Sequence, residues 1–169
     1  MKLKFVPVVA ALSFAAAAAQ ASTVNLGTLG STITTTGGAA TSFGAIVNDN
    51  FTFSVSVAST VESNASVVFG NLNPAFYGIY TAGLDSIVGN ADDVLVVGHG
   101  FSAVSTSHFD TLAAGNYYFK VLALSNAPVS AYALAAKAVA QPVPEPETYA
   151  LLGAGLGIIG FVARRRRAD

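Results

Sequence analysis

Few residues in this chain have the makings of chemistry. There are two histidines, His99 in VGHGF and His108 in TSHFD, and no cysteine. The lack of cysteine excludes disulfides, thiolate chemistry and cysteine-based zinc sites. A hydroxyl nucleophile needs a base within hydrogen-bond reach and an orienting third group. Neither histidine lies beside a G-x-S-x-G elbow or a comparable motif, and in so serine-rich a chain a nearby hydroxyl is expected by chance. The sequence therefore predicts a protein that is not an enzyme.

Carboxylates crowd only one stretch, LDSIVGNADDVLV, where Asp85, Asn90, Asp92 and Asp93 surround a glycine. Hard oxygen ligands this close together suit Ca²⁺. Asn and Asp also stabilise turns through their own side chains, and the spacing matches neither an EF-hand nor an aspartate ladder, so a polar turn is the favoured reading. Tyr77, Tyr80, Tyr117 and Tyr118 are candidates for a sugar platform. Aromatic residues on strands more often pack in a core or pair across strands, and there is no tryptophan. These two features keep a glycan- or Ca²⁺-binding module as the alternative function. Between residues 22 and 143 two lysines face six acids, with no arginine. A nucleic-acid partner requires a basic face, so none is expected.

The elements that must position these residues are strands. In NDNFTFSVSVAS the residues Phe51, Phe53, Val55 and Val57 fall on one face, and Thr52, Ser54 and Ser56 on the other. In GNYYFKVLALS the set Tyr117, Phe119, Val121 and Ala123 alternates with Tyr118, Lys120 and Leu122. In VSAYALAAKAV, Tyr132, Leu134 and Ala136 share a face. Shorter candidates are TVNLG, STITTT, ASVVFG, AFYGIY, DVLVVG and FSAVST, separated by GG at 37–38, NLNP at 71–74, GNADD at 89–93, AAGN at 113–116 and SNAP at 125–128. Eight or nine short strands without an amphipathic helix predict an all-β fold, an antiparallel β-sandwich over residues 22–140.

Apolar residues concentrate at the two ends. Lys2 and Lys4 precede an apolar stretch that ends in Ala19-Gln20-Ala21, so residues 1–21 read as a signal peptide for the Sec machinery, cut by signal peptidase after Ala21. Residues 141–147 form a stiff proline-rich linker, because each proline fixes its own φ and disfavours helix before it. From Tyr149 to Ala163 fifteen residues carry no charge. As a helix they span roughly 22 Å against a hydrocarbon core of about 30 Å. Residues 148–163 are therefore expected to form a marginal transmembrane sorting helix, and residues 164–169 a basic tail. Arg164, Arg165, Arg166 and Arg167 stop transfer and stay in the cytoplasm by the positive-inside rule, which leaves residues 22–147 outside the inner membrane.

Pro144-Glu145-Pro146, followed by ETYALLGAGLGIIGFVA and then RRRR, closely resembles the PEP-CTERM signal of Gram-negative bacteria. The resemblance implies recognition of Pro144-Glu145-Pro146 by exosortase, a membrane protease-transpeptidase that releases or transfers the upstream domain. It also implies a fate at the cell surface or in the extracellular matrix, with a link to exopolysaccharide and biofilm. VNDNFTFSVS together with LAAGNYYFKVLALS resembles the FxDxF family of PEP-CTERM proteins. Asp49 and Phe51 match its D-x-F, while Val47 stands where the first Phe belongs.

Overall fold

The structure is a computed structural model describing residues 22–142 and 146–165. Nine strands precede one helix: β1 (Ser22–Thr28), β2 (Thr34–Ala40), β3 (Ile46–Val55), β4 (Ser59–Phe69), β5 (Leu72–Thr81), β6 (Val94–Gly100), β7 (Thr106–Leu112), β8 (Gly115–Ser125), β9 (Ser130–Ala140) and α1 (Pro146–Arg165). One sheet has the order β1-β3-β8-β5-β6 and the other β2-β9-β4-β7. The expected β-sandwich is what forms. The expected signal segment with Ala19 and Ala21, the motif residues Pro144 and Glu145, and Arg166 and Arg167 lie outside the described residues.

Period-two alternation sorts the core. Phe51, Phe53 and Val55 of β3, Phe119 and Val121 of β8, and Tyr132 and Leu134 of β9 are buried between the sheets. Phe53 stacks on Phe119 with ring centroids 4.6 Å apart. Val57 departs from the expectation and is half exposed, because β3 ends at Val55 and the chain turns toward β4 before reaching it.

Four other expectations need correction. The pair β1–β3 is parallel, whereas the remaining pairs are antiparallel. The cause is topological: β2, between them in sequence, belongs to the opposite sheet, so the chain crosses over and returns in the same direction. Gly37 and Gly38 do not punctuate the chain but lie inside β2. A Cβ on Gly37 would strike the Tyr132 carbonyl, and one on Gly38 would strike the Asp49 carboxylate. Close backbone approach, not a turn, demands glycine there. Of residues 71–74, Asn71 ends the connection from β4, and Leu72 to Pro74 already open β5. Finally, FSAVST is mostly a connection and the strand is TSHFDTL, whose apolar alternation is masked because its outward positions carry Phe109 and Thr111.

The tail also differs from expectation. Among the described residues no helix is long and apolar enough to cross a membrane. The transmembrane segment expected at 148–163 is instead part of α1, which starts at Pro146 and runs through Arg164 and Arg165. Proline is tolerated in a first helical turn, where its missing N–H has no intrahelical partner to lose. Gly153, Gly155 and Gly157 dilute the aliphatic side chains, and the arginines shorten the apolar length.

Candidate functional site

The acidic stretch becomes a loop, residues 82–93, joining β5 to β6. Its carboxylates are consumed by hydrogen bonds inside the protein. Asp93 accepts from Gly83 N at 3.1 Å, Gly89 N at 2.6 Å and Tyr118 Oη at 2.6 Å. Asp92 accepts from Leu84 N at 3.0 Å, and Asp85 from Ile87 N and the Asn90 side chain. Burial works to raise the Asp93 pKa, but the Tyr118 hydroxyl and the Gly83, Gly89 and Asn90 amides together hold it below the usual carboxylate value. Among the described residues no group of three or more His, Asp or Glu side chains is arranged to hold a metal ion. The geometry is that of a turn braced by its own acids.

The loop folds over the outer face of the five-stranded sheet. Tyr118 points outward from β8, yet it is fully buried, because Asp93 draws the loop down onto its hydroxyl. That burial and the adjacent carboxylate push the Tyr118 pKa well above the ordinary phenol value. Tyr77 is buried in the core, so Tyr77, Tyr80, Tyr117 and Tyr118 do not form an exposed sugar platform.

Asp49 and Phe51 lie on β3 with their side chains directed between the sheets. Phe51 is 1% exposed. The Asp49 carboxylate accepts a 2.6 Å hydrogen bond from Tyr132 Oη of the opposite sheet. Burial raises its pKa, while the Tyr132 hydroxyl and the Ser22 backbone N–H oppose the rise. Val47, at the position of the first Phe in the FxDxF pattern, is also buried.

A constellation absent from the sequence reading appears where the edge strands β6 and β7 meet. His99 and His108 stack with centroids 3.9 Å apart and an interplanar angle of 15°. His99 Nε2 lies 2.9 Å from Asp110 Oδ2. Tyr77 packs against both imidazoles and shares a 3.0 Å hydrogen bond with Ser63 Oγ. Partial burial and the neighbouring His99 hold the His108 pKa below the ordinary imidazole value, against the pull of Asp110. Among the hydrogen bonds of the described residues none joins Ser63 to an imidazole, so the nucleophile–base contact of a hydrolase is not formed. The cluster ties one sheet to the other.

Of the tail, Pro146 opens α1, and Arg164 and Arg165 occupy its last turn. Leu151, Leu152, Leu156, Ile158 and Ile159 are 61–74% exposed, an apolar surface that no other described residue covers.

Fold and tail together define a β-sandwich domain with a C-terminal sorting signal. That signal is the PEP-CTERM protein-sorting motif, whose family model matches residues 142–167. No curated protein matches the chain significantly in sequence. Among solved structures it is similar to the pre-peptidase C-terminal domain of a collagenase from Bacillus anthracis, with TM-score 0.50 and 18% identity over 70% of this chain and 97% of that one. It is also similar to PliG from Aeromonas hydrophila, a periplasmic inhibitor of g-type lysozyme, with TM-score 0.44 and 11% identity over 71% of this chain and 100% of that one. At these identities the likeness concerns the fold alone.

Proposed function

We propose that this is a non-enzymatic surface protein whose β-sandwich is delivered outside the cell by its tail. The Sec machinery exports the chain and signal peptidase cuts after Ala21. Exosortase then acts at Pro144-Glu145-Pro146, and the domain passes to the cell surface or the exopolysaccharide-containing matrix of a biofilm. The FxDxF kinship belongs to this reading, with Asp49 and Phe51 as its matching residues. The observation that carries the proposal is the sorting motif spanning residues 142–167.

The helix adds a physical reason for a membrane-embedded partner. Its exposed leucines and isoleucines favour an apolar surrounding, but α1 is too short in apolar length to cross alone. The membrane helices of exosortase would shelter the ends that lipid cannot, and the glycines would let them approach closely. Arg164 to Arg167 would anchor the inner end, since each arginine moved to mid-bilayer costs roughly 2.5–3.5 kcal/mol on insertion scales.

Intact-mass measurement of the secreted protein tests the proposal. The expected species begins at Ser22 and ends near the PEP motif. Glu145→Ala should leave full-length chain in the membrane fraction, and Gln at all four arginines should release unprocessed chain into the periplasm. A wild-type secreted species that retains Arg164 to Arg167, or variants sorted and trimmed like wild type, would sink it.

A further inference from the structure

A groove of about 560 Å³ opens on the outer face of the five-stranded sheet, walled by the loop of residues 82–93. Its polar lining is Asn25, Thr28, Thr52, Ser54, Ser86 and Asn116, and no lining residue carries a charge. Several of these groups are unspent. Asn25 Oδ1 accepts from Gly27 N, which fixes the amide and leaves its Nδ2 without a partner among the described residues. Thr28 and Ser54 share one hydroxyl pair at 2.8 Å with lone pairs remaining. Thr52, Ser86 and Asn116 make no side-chain hydrogen bond to the described residues.

The wall is preorganised. Asp93 clamps the loop from below, and Asp85 braces Ile87 N beside Ser86. Ser86 itself is held at φ 60°, a left-handed conformation that non-glycine residues rarely adopt. Two residues along β3 from Thr52, on the same face but behind the groove lining, Asn50 is 3% exposed, and its Oδ1 has no partner among the described residues.

The lining discriminates among ligand classes. A charged ligand would lose hydration with no counter-charge to receive it, and a purely apolar one would strand the hydroxyls and amides. A neutral saccharide offers dense hydroxyls that both donate and accept, together with C–H faces for the apolar part of the lining, which includes Val88 and Tyr117. The volume lies within the usual range of about 300–1,000 Å³ for small-molecule sites. We propose that this groove binds a short neutral oligosaccharide, held by Asn25, Thr52, Ser86 and Asn116. The site is distinct from the tail, so its failure and the failure of exosortase sorting are separate results.

Saturation-transfer NMR on the full chain tests it, using neutral trisaccharides of glucose, galactose, mannose and N-acetylglucosamine, with trigalacturonate as the anionic probe. At least one neutral trisaccharide should give a saturable signal, and trigalacturonate should give none. The double variant Thr52→Val, Asn116→Leu should weaken binding at least tenfold, while its melting temperature reports that the domain is intact. Asn73→Leu, in the separate cavity near Phe101, should bind as wild type does. The proposal is overturned if no neutral trisaccharide binds, if trigalacturonate binds equally well, or if the folded double variant retains full affinity.

Discussion

Acidification should loosen the joint between β6 and β7. Protonating both imidazoles would place two positive charges near the 3.9 Å separation of the His99 and His108 rings. At an effective dielectric of about 20 that repulsion is roughly 4 kcal/mol. Asp110, 2.9 Å from His99 Nε2, offsets part of it for the pair, and solvent and salt screen these half-buried rings further. A net loss of about 1–2 kcal/mol is expected. The sign follows from His108, whose folded pKa lies below its ordinary value of 6.5. A depressed imidazole contributes stability that is complete above that value and is lost as pH falls through the folded one. Asp49 acts in the opposite sense: its pKa is raised from 3.8, so its contribution is complete below that value and lost as pH rises. Comparison with His108→Gln cancels the Asp49 contribution. Between pH 7.5 and 5.0 the wild-type melting temperature should fall by roughly 4–10 °C more than that of His108→Gln. Equal pH profiles for the two proteins would refute the charge-repulsion argument.

Phe51→Asp should abolish cooperative urea unfolding, because a carboxylate would replace a core ring that is 1% exposed; a soluble, cooperatively folded variant would mean the inward face of β3 is wrongly assigned. Tyr132→Phe removes the donor to the Asp49 carboxylate and should cost about 1.5–3 kcal/mol in urea titration, with no loss at all counting against the bond. Asp93→Asn exchanges an acceptor for an amide that cannot satisfy three donors. Limited proteolysis within residues 82–93 should accelerate while the core melts nearly as before; an unchanged cleavage rate would show that Asp93 does not brace the loop.

The strands legible in the sequence were those whose inward faces are uniformly apolar, as in β3, β8 and β9. Their alternation reports burial directly. β7 was hidden because its side chains toward the interior include His108 and Asp110, which a search for apolar periodicity discards. The same masking concealed the histidine cluster: its members lie on strands from opposite sheets, and no local spacing encodes that meeting. β2 was mislocated because its glycines answer to Tyr132 and Asp49, residues far away in sequence. The acidic loop was readable as a turn, but not its closure over Tyr118, which depends on a partner 25 residues along the chain. The sorting motif at residues 142–167 was legible because it is a linear order of residues and needs no tertiary contact, whereas the membrane-spanning length expected of its helix was not borne out.

The bond from the Ser22 backbone N–H to the Asp49 carboxylate would acquire a second meaning under the proposed removal of a leader. In the precursor that nitrogen is a neutral amide. Under the proposed cleavage after Ala21 it becomes the α-amino group of the mature chain, positively charged at neutral pH and already positioned against a carboxylate that burial disfavours. The cut would then do more than free the protein from its leader. It would create an ion pair at the edge of the sheet, where β1 runs parallel to β3, so that maturation itself fastens the first strand and the exported form is the more tightly closed of the two.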